Sequence, residues 1–131
     1  MAPQANQLIL SLVSDLFFSP RVASTARSLG MQTVLIESSK EVASPKAFVE
    51  RVSSLLPALI ILDLNAALPW AEWLEAVKAE SGLAAIPWLA FGSHKDVETI
   101  GRAKQLGADR VVAKSRFTVE MPELIRALID K

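Results

Sequence analysis

The run Ala58-Leu59-Ile60-Ile61-Leu62, with Pro57 before it and Asp63 after it, limits this chain more than any other stretch. A short, unbroken apolar run bounded in this way reads as a strand buried on both faces. Strands of that kind belong to parallel sheets sandwiched between layers of helices. The remainder of the chain has to supply the other strands and the covering helices, and it does so in alternation. Residues 8–13 form another apolar run, and Ser19-Pro20 then suits a helix start, serine as cap and proline at the first helical position. Val22, Ala26 and Leu29 share one face of that helix, and Gly30 suits its end.

The pattern repeats along the chain. Residues 33–36 are β-branched and apolar, a second strand; Ser44-Pro45 opens a helix with Phe48, Val52 and Leu55 or Leu56 inward. Pro69 starts a third helix, with Trp70, Trp73, Leu74 and Val77 on its inner face and an end near Gly82. Residues 86–91 make a fourth strand, and Asp96 caps a helix bearing Val97, Ile100 and Ala103 that closes at Leu106-Gly107. Residues 110–113 are a fifth strand, and a last helix carries Leu124, Ile125, Leu128 and Ile129. Five strands alternating with five helices through short connections predict an α/β, doubly wound parallel sheet with helices on both faces. At 131 residues, with no linker or repeat, one domain over 1–131 is expected.

Composition narrows the function. Fourteen basic side chains balance fourteen acidic ones, so the basic stripe that nucleic acid or an anionic membrane demands is not expected. Without cysteine there is no disulfide, thiolate metal site or Cys nucleophile. Met1 to Gln7 lacks the charge and apolar core of a leader, and no apolar run reaches the roughly 20 residues of a membrane span. A cytoplasmic protein is expected.

In a sheet of this kind, chemistry sits beyond the carboxyl ends of the strands. Those ends deliver Ser14 and Asp15, Asp63 with Asn65, Gly92 and Ser93, and Lys114. Two carboxylates can hold Mg²⁺, which takes one or two such ligands and keeps waters. A carboxylate such as Asp63 can act as a nucleophile and carry a phosphoryl group, while Lys114 and a nearby hydroxyl bind the phosphoryl oxygens. The bland alternative makes Asp63 a polar strand terminator that pairs with Lys114.

The segments Pro57-Ala58-Leu59-Ile60-Ile61-Leu62-Asp63-Leu64-Asn65, Ile86-Pro87-Trp88-Leu89-Ala90-Phe91 and Gly107-Ala108-Asp109-Arg110-Val111-Val112-Ala113-Lys114 resemble receiver domains of the response-regulator family, which have the chemotaxis-regulator fold. The resemblance implies strand order 2-1-3-4-5. It also implies Asp63 as phosphoacceptor, Lys114 as the phosphoryl-contacting cation, Asn65 as the donor of a Mg²⁺-binding carbonyl and Asp15 as a second metal ligand. The implied partners are a histidine kinase, a downstream effector or a second copy, met through helix four, strand five and helix five. Such a protein acts by binding and is not expected to be an enzyme.

Several positions depart from the family. Ser14 replaces one acid, which weakens the Mg²⁺ site, and Gly92 stands where the switch hydroxyl belongs, with Ser93 beside it as a partial substitute. Val111 replaces the aromatic switch residue, Ser115 replaces a proline, and Ala66-Ala67-Leu68 lengthens the loop before Pro69. The chain therefore resembles an atypical or pseudo-receiver. Two rivals stay open, an interaction module that never takes a phosphoryl group and a flavodoxin-like small-molecule domain. No Gly-x-Gly-x-x-Gly, P-loop or Ser/Thr-rich phosphate loop favours the latter. His94 reads as a solvated loop residue, and Trp88 as core. Trp70 and Trp73 read as core, with exposure of one as the alternative. Leu16-Phe17-Phe18 reads either as a cover for the first helix or as a contact patch.

Overall fold

The central strand β3 (Leu59–Asp63) is buried at all five positions, and it holds the middle of a five-stranded parallel sheet. The computed structural model describes residues 7–130. In chain order they form β1 (Leu8–Leu12), α1 (Phe18–Ser28), β2 (Gln32–Leu35), α2 (Pro45–Leu55), β3, α3 (Trp70–Lys78), β4 (Trp88–Gly92), α4 (Val97–Gln105), β5 (Arg110–Ala113) and α5 (Lys114–Ile129). The strands lie in the order β2-β1-β3-β4-β5. Six of the seven residues from Met1 to Gln7 that lack the features of a leader, residues 1–6, lie outside the described residues.

Alternation along the strands divides the core in two. Ile9, Val13, Leu59, Ile61, Leu89, Phe91 and Val112 face α1 and α5. Leu10, Leu12, Ile60, Leu62, Trp88 and Ala90 face α2, α3 and α4. Trp73 stacks on Phe48 at 4.5 Å between ring centres, which locks α3 to α2. Trp70, Trp73 and Trp88 are all buried, so the tryptophans are core.

Local signals explain most element ends. Ser44 Oγ accepts the Ala47 N–H at 3.1 Å and Pro45 follows as the first helical residue. Asp96 accepts the Thr99 N–H at the start of α4. Gly30 closes α1 and Gly107 follows α4, with φ of 79° and 109°, where a side chain would be strained.

Three expectations need correction. Helix α1 begins at Phe18, ahead of Ser19-Pro20, and Ser19 is not its cap. Instead the Asp15 carbonyl accepts the Phe18 and Ser19 N–H groups, and its Oδ1 accepts that of Phe17 at 2.7 Å. Helix α3 stops at Lys78, short of Gly82. Val97 faces solvent, leaving Ala103 buried and Ile100 partly covered on α4. Of the two alternatives left open at the end of α2, Leu55 is the one that faces inward, because Leu56 takes the left-handed turn (φ 44°) that ends the helix.

Helix α5 differs most. It begins at Lys114, with no loop after β5, and kinks at Glu120 just ahead of Pro122. Proline lacks an N–H and clashes with the carbonyl four residues back, which bends a helix there. Phe117, Met121, Leu124, Ile125 and Leu128 nevertheless keep one buried stripe across the bend.

Candidate functional site

Three strand ends converge on one rim of the sheet. Asp63 ends β3 and pairs in register with Phe91 of β4, while Gly92 pairs with Ala113 of β5, immediately before Lys114. Asp15 lies in the turn between β1 and α1. Asp63 shares the strand parity of Leu59 and Ile61, so its side chain points to the α1–α5 side. That side is aromatic there: Phe91 and Phe117 stack at 4.1 Å, and Phe18 lies 4.8 Å from Phe91 and 5.9 Å from Phe117.

This setting explains the state of the carboxyl. Asp63 is only 3% exposed, and burial pushes its pKa above the ordinary value. The Asn65 N–H, bonded to Oδ1 at 2.9 Å, and the positive charge of Lys114 pull it down. The negative charge of Asp15 pushes it up. Asp15 and Lys114 thus both lie within electrostatic reach of Asp63.

No ion pair joins Asp63 to Lys114 among the described residues. The Lys114 ammonium instead sits over the Phe18 ring, 5.6 Å from its centre. Its charge faces an aromatic ring and lies in the field of Asp63, a contact the sequence does not show because it places the start of α1 after Phe18. An open recess is bordered by Asp15, Phe17, Phe18, Ser93 and Lys114; Asp63 does not line it. Ser93 Oγ accepts the Lys95 N–H at 3.3 Å, so it serves a local turn. His94 borders the same recess and is exposed.

The loop after β3 carries the second feature missed. Leu64 is buried, its N–H bonded to the Phe91 carbonyl, and its side chain lies against Gly92. A Cβ at residue 92 would meet Leu64 Cδ1 at 3.1 Å and Cβ at 3.3 Å. The absence of a hydroxyl-bearing residue at 92 therefore matches a filled space. Ala66 and Leu68 also turn inward, and the Ala66 N–H bonds the Asp63 carbonyl, which accounts for the longer loop.

The site can be tested for a divalent cation. Among the described residues no group of three or more His, Cys, Asp or Glu could hold a metal ion. Asp15 and Asp63 remain, their negative fields overlapping at Asp63, and one Asp15 oxygen already bonds a backbone N–H. Two carboxylates fit a Mg²⁺ ion that keeps most of its waters, and do not fit a tightly held structural ion.

Solved structures to which this chain is similar include receiver domains. A putative response regulator from Chloroflexus aurantiacus superposes with a TM-score of 0.78 at 14% identity, covering 96% of this chain and 99% of that one. The receiver domain of a signal transduction histidine kinase from Syntrophus aciditrophicus gives 0.76 at 19% identity, covering 94% and 89%. A chemotaxis response regulator of Vibrio cholerae gives 0.72 at 16%, covering 92% and 97%. The chain has the receiver fold. No protein-family model matches the sequence, and no curated protein matches it. The agreement lies in the α/β receiver architecture and its 2-1-3-4-5 sheet. Among the described residues no helix is long and apolar enough to cross a membrane.

Proposed function

We propose that this chain is an atypical receiver-type signalling protein, with Asp63 as its phosphoacceptor. The observation that carries the reading is electrostatic: the Asp63 carboxyl feels both Lys114 and Asp15, residues from two other strand ends. With Oδ1 bonded to the Asn65 N–H, Oδ2 is the nucleophilic oxygen. Oδ2 forms a bond to phosphorus as the bond from phosphorus to the donor's leaving group breaks, and the electron pair departs with that group. Lys114 offsets the negative charge that gathers on the phosphoryl oxygens. Asp15, Asp63 and the Asn65 carbonyl would hold Mg²⁺, which supplies charge neutralisation between carboxylate and phosphodonor. Like receiver domains generally, the protein acts through its contacts and not as an enzyme. Its partners are a histidine kinase and a downstream effector, or a second copy of the chain.

One observation favours the rival, a module that works without phosphorylation. Asp63 is almost sealed from solvent, and Leu64 occupies the space beside Gly92. Incubation with Mg²⁺ and a small acyl phosphate, followed by intact mass measurement, separates the two. A phosphoryl-sized gain that is lost in Asp63→Asn supports the receiver chemistry. No gain at any Mg²⁺ concentration supports the rival.

A further inference from the structure

Two features have no part in phosphoryl chemistry. Ser11 sits in β1, only 2% exposed, and its hydroxyl makes no hydrogen bond to a protein group among the described residues. Leu16, in the turn before α1, is 79% exposed despite its apolar side chain. An unpaired buried hydroxyl costs stability, and a large aliphatic side chain gains nothing from standing in water. Each is a defect when taken alone.

They meet in one place. Ser11 shares the strand parity of Ile9 and Val13 and therefore faces α1, and it pairs in register with Leu35 of the edge strand β2, as Ile9 pairs with Thr33. Between the flank of α1 and β2 lies an apolar recess of about 360 Å³, bordered by Ser11, Leu16, Val22, Ala23, Thr33 and Leu35. Ser11 borders this recess with its hydroxyl buried just beneath the surface, and Leu16 forms part of the wall. Ligand sites of small molecules begin at roughly this size, and they are mostly apolar with a few placed polar groups.

We infer that the α1–β2 recess is a binding site for a small uncharged amphiphile, with a compact apolar body and one hydrogen-bonding group directed at Ser11. Leu16 closes over the apolar body, which removes its own side chain from water as it covers the ligand. A charged ligand does not fit, because no ionisable side chain lines the recess. A water held by Ser11 is the poorer occupant: a buried water typically makes about three hydrogen bonds, and apart from the hydroxyls of Ser11, Ser19 and Thr33 the lining is apolar.

The test uses the full chain and two probes of similar shape, phenol and toluene, followed through backbone amide shifts. Phenol should give saturable shifts centred on Ser11, Leu16, Ala23 and Leu35. Ser11→Ala should weaken phenol binding roughly three- to tenfold, the worth of one hydrogen bond, and leave toluene binding unchanged. The melting temperature of ligand-free Ser11→Ala should equal or exceed that of the parent, since an unpaired hydroxyl is removed. Shifts that never saturate, or that scatter over the apolar surface, would overturn the site. Equal loss of both probes in Ser11→Ala would overturn the role of the hydroxyl. A clearly lower melting temperature for that variant would show the hydroxyl already satisfied by water, and would overturn the proposal as well.

Discussion

Asp63 carries opposite demands. As a nucleophile it must be ionised, yet its aromatic surroundings resist the charge. Its folded pKa lies above the ordinary value of 3.8, so the folded state holds the proton more tightly than the unfolded chain. The stability this proton contributes is fully present below the ordinary value and is lost as pH rises through the folded pKa. Asp63→Asn should therefore be more stable than the parent at neutral pH, and its advantage should shrink as pH falls below the raised pKa. Urea titrations between pH 3 and 8 would read this; an advantage that grows on acidification would contradict it. For the parent, phosphorylation by an acyl phosphate should slow as pH falls through the same raised pKa, measured as initial rate by mass. Gly92 is the second decisive residue. Gly92→Ser should cost of order 1 kcal/mol by crowding Leu64. That cost should fall away in a Leu64→Ala background, as a double-mutant cycle of denaturation midpoints would show.

At the level of elements, the opposite end of the sheet is held by a polar latch that no motif announced. Lys78, at the end of α3, donates to the Ala84 carbonyl at 3.1 Å and to Asp109 Oδ2 at 3.1 Å. The same Oδ2 accepts the Trp88 N–H at 2.7 Å, and the Asp109 N–H returns a bond to the Trp88 carbonyl. One carboxylate thus ties the end of α3 to the starts of β4 and β5. Asp109→Ala should cost about 1–3 kcal/mol in urea denaturation, chiefly through the charge-assisted bond to Trp88. The ion pair adds little to this, being partly open to water. Reading it from sequence was not feasible, since residues 78, 88 and 109 meet only through strand pairing. The α5 start was obscured differently: Pro122 looks like a boundary, yet Phe117 and Met121 carry the buried stripe past it.

For the whole molecule, the question is whether a phosphoryl group at Asp63 moves anything distant. A ligand shifts a two-state equilibrium only through different contacts in the two states. Residue 92 has no hydroxyl to follow the phosphoryl group, and residue 111 is a valine in β5 with no ring to turn. Amide shifts on phosphorylation should therefore stay near Asp15, Asp63 and Lys114, and leave α4 and the far half of α5 unchanged. Widespread shifts across α4 and β5 would show a switch of another design.

The strand runs, most helix faces and the caps Ser44 and Asp96 were legible in the sequence because each depends on near neighbours, whereas Ser19 and Val97 misled. Ala58 to Asp63, Ser44-Pro45 and Asp96 marked their elements correctly, and the converging ends of β1, β3 and β5 pointed to Asp15, Asp63 and Lys114. The burial of Asp63, the placing of Lys114 over Phe18, the filling of the space at Gly92 by Leu64 and the meeting of Ser11 with Leu16 depend on residues distant along the chain. Sequence by itself determined which groups reach the rim of the sheet. Only the tertiary structure decided how dry that rim is and which side chains fill it, because desolvation and packing are set by neighbours that only folding supplies.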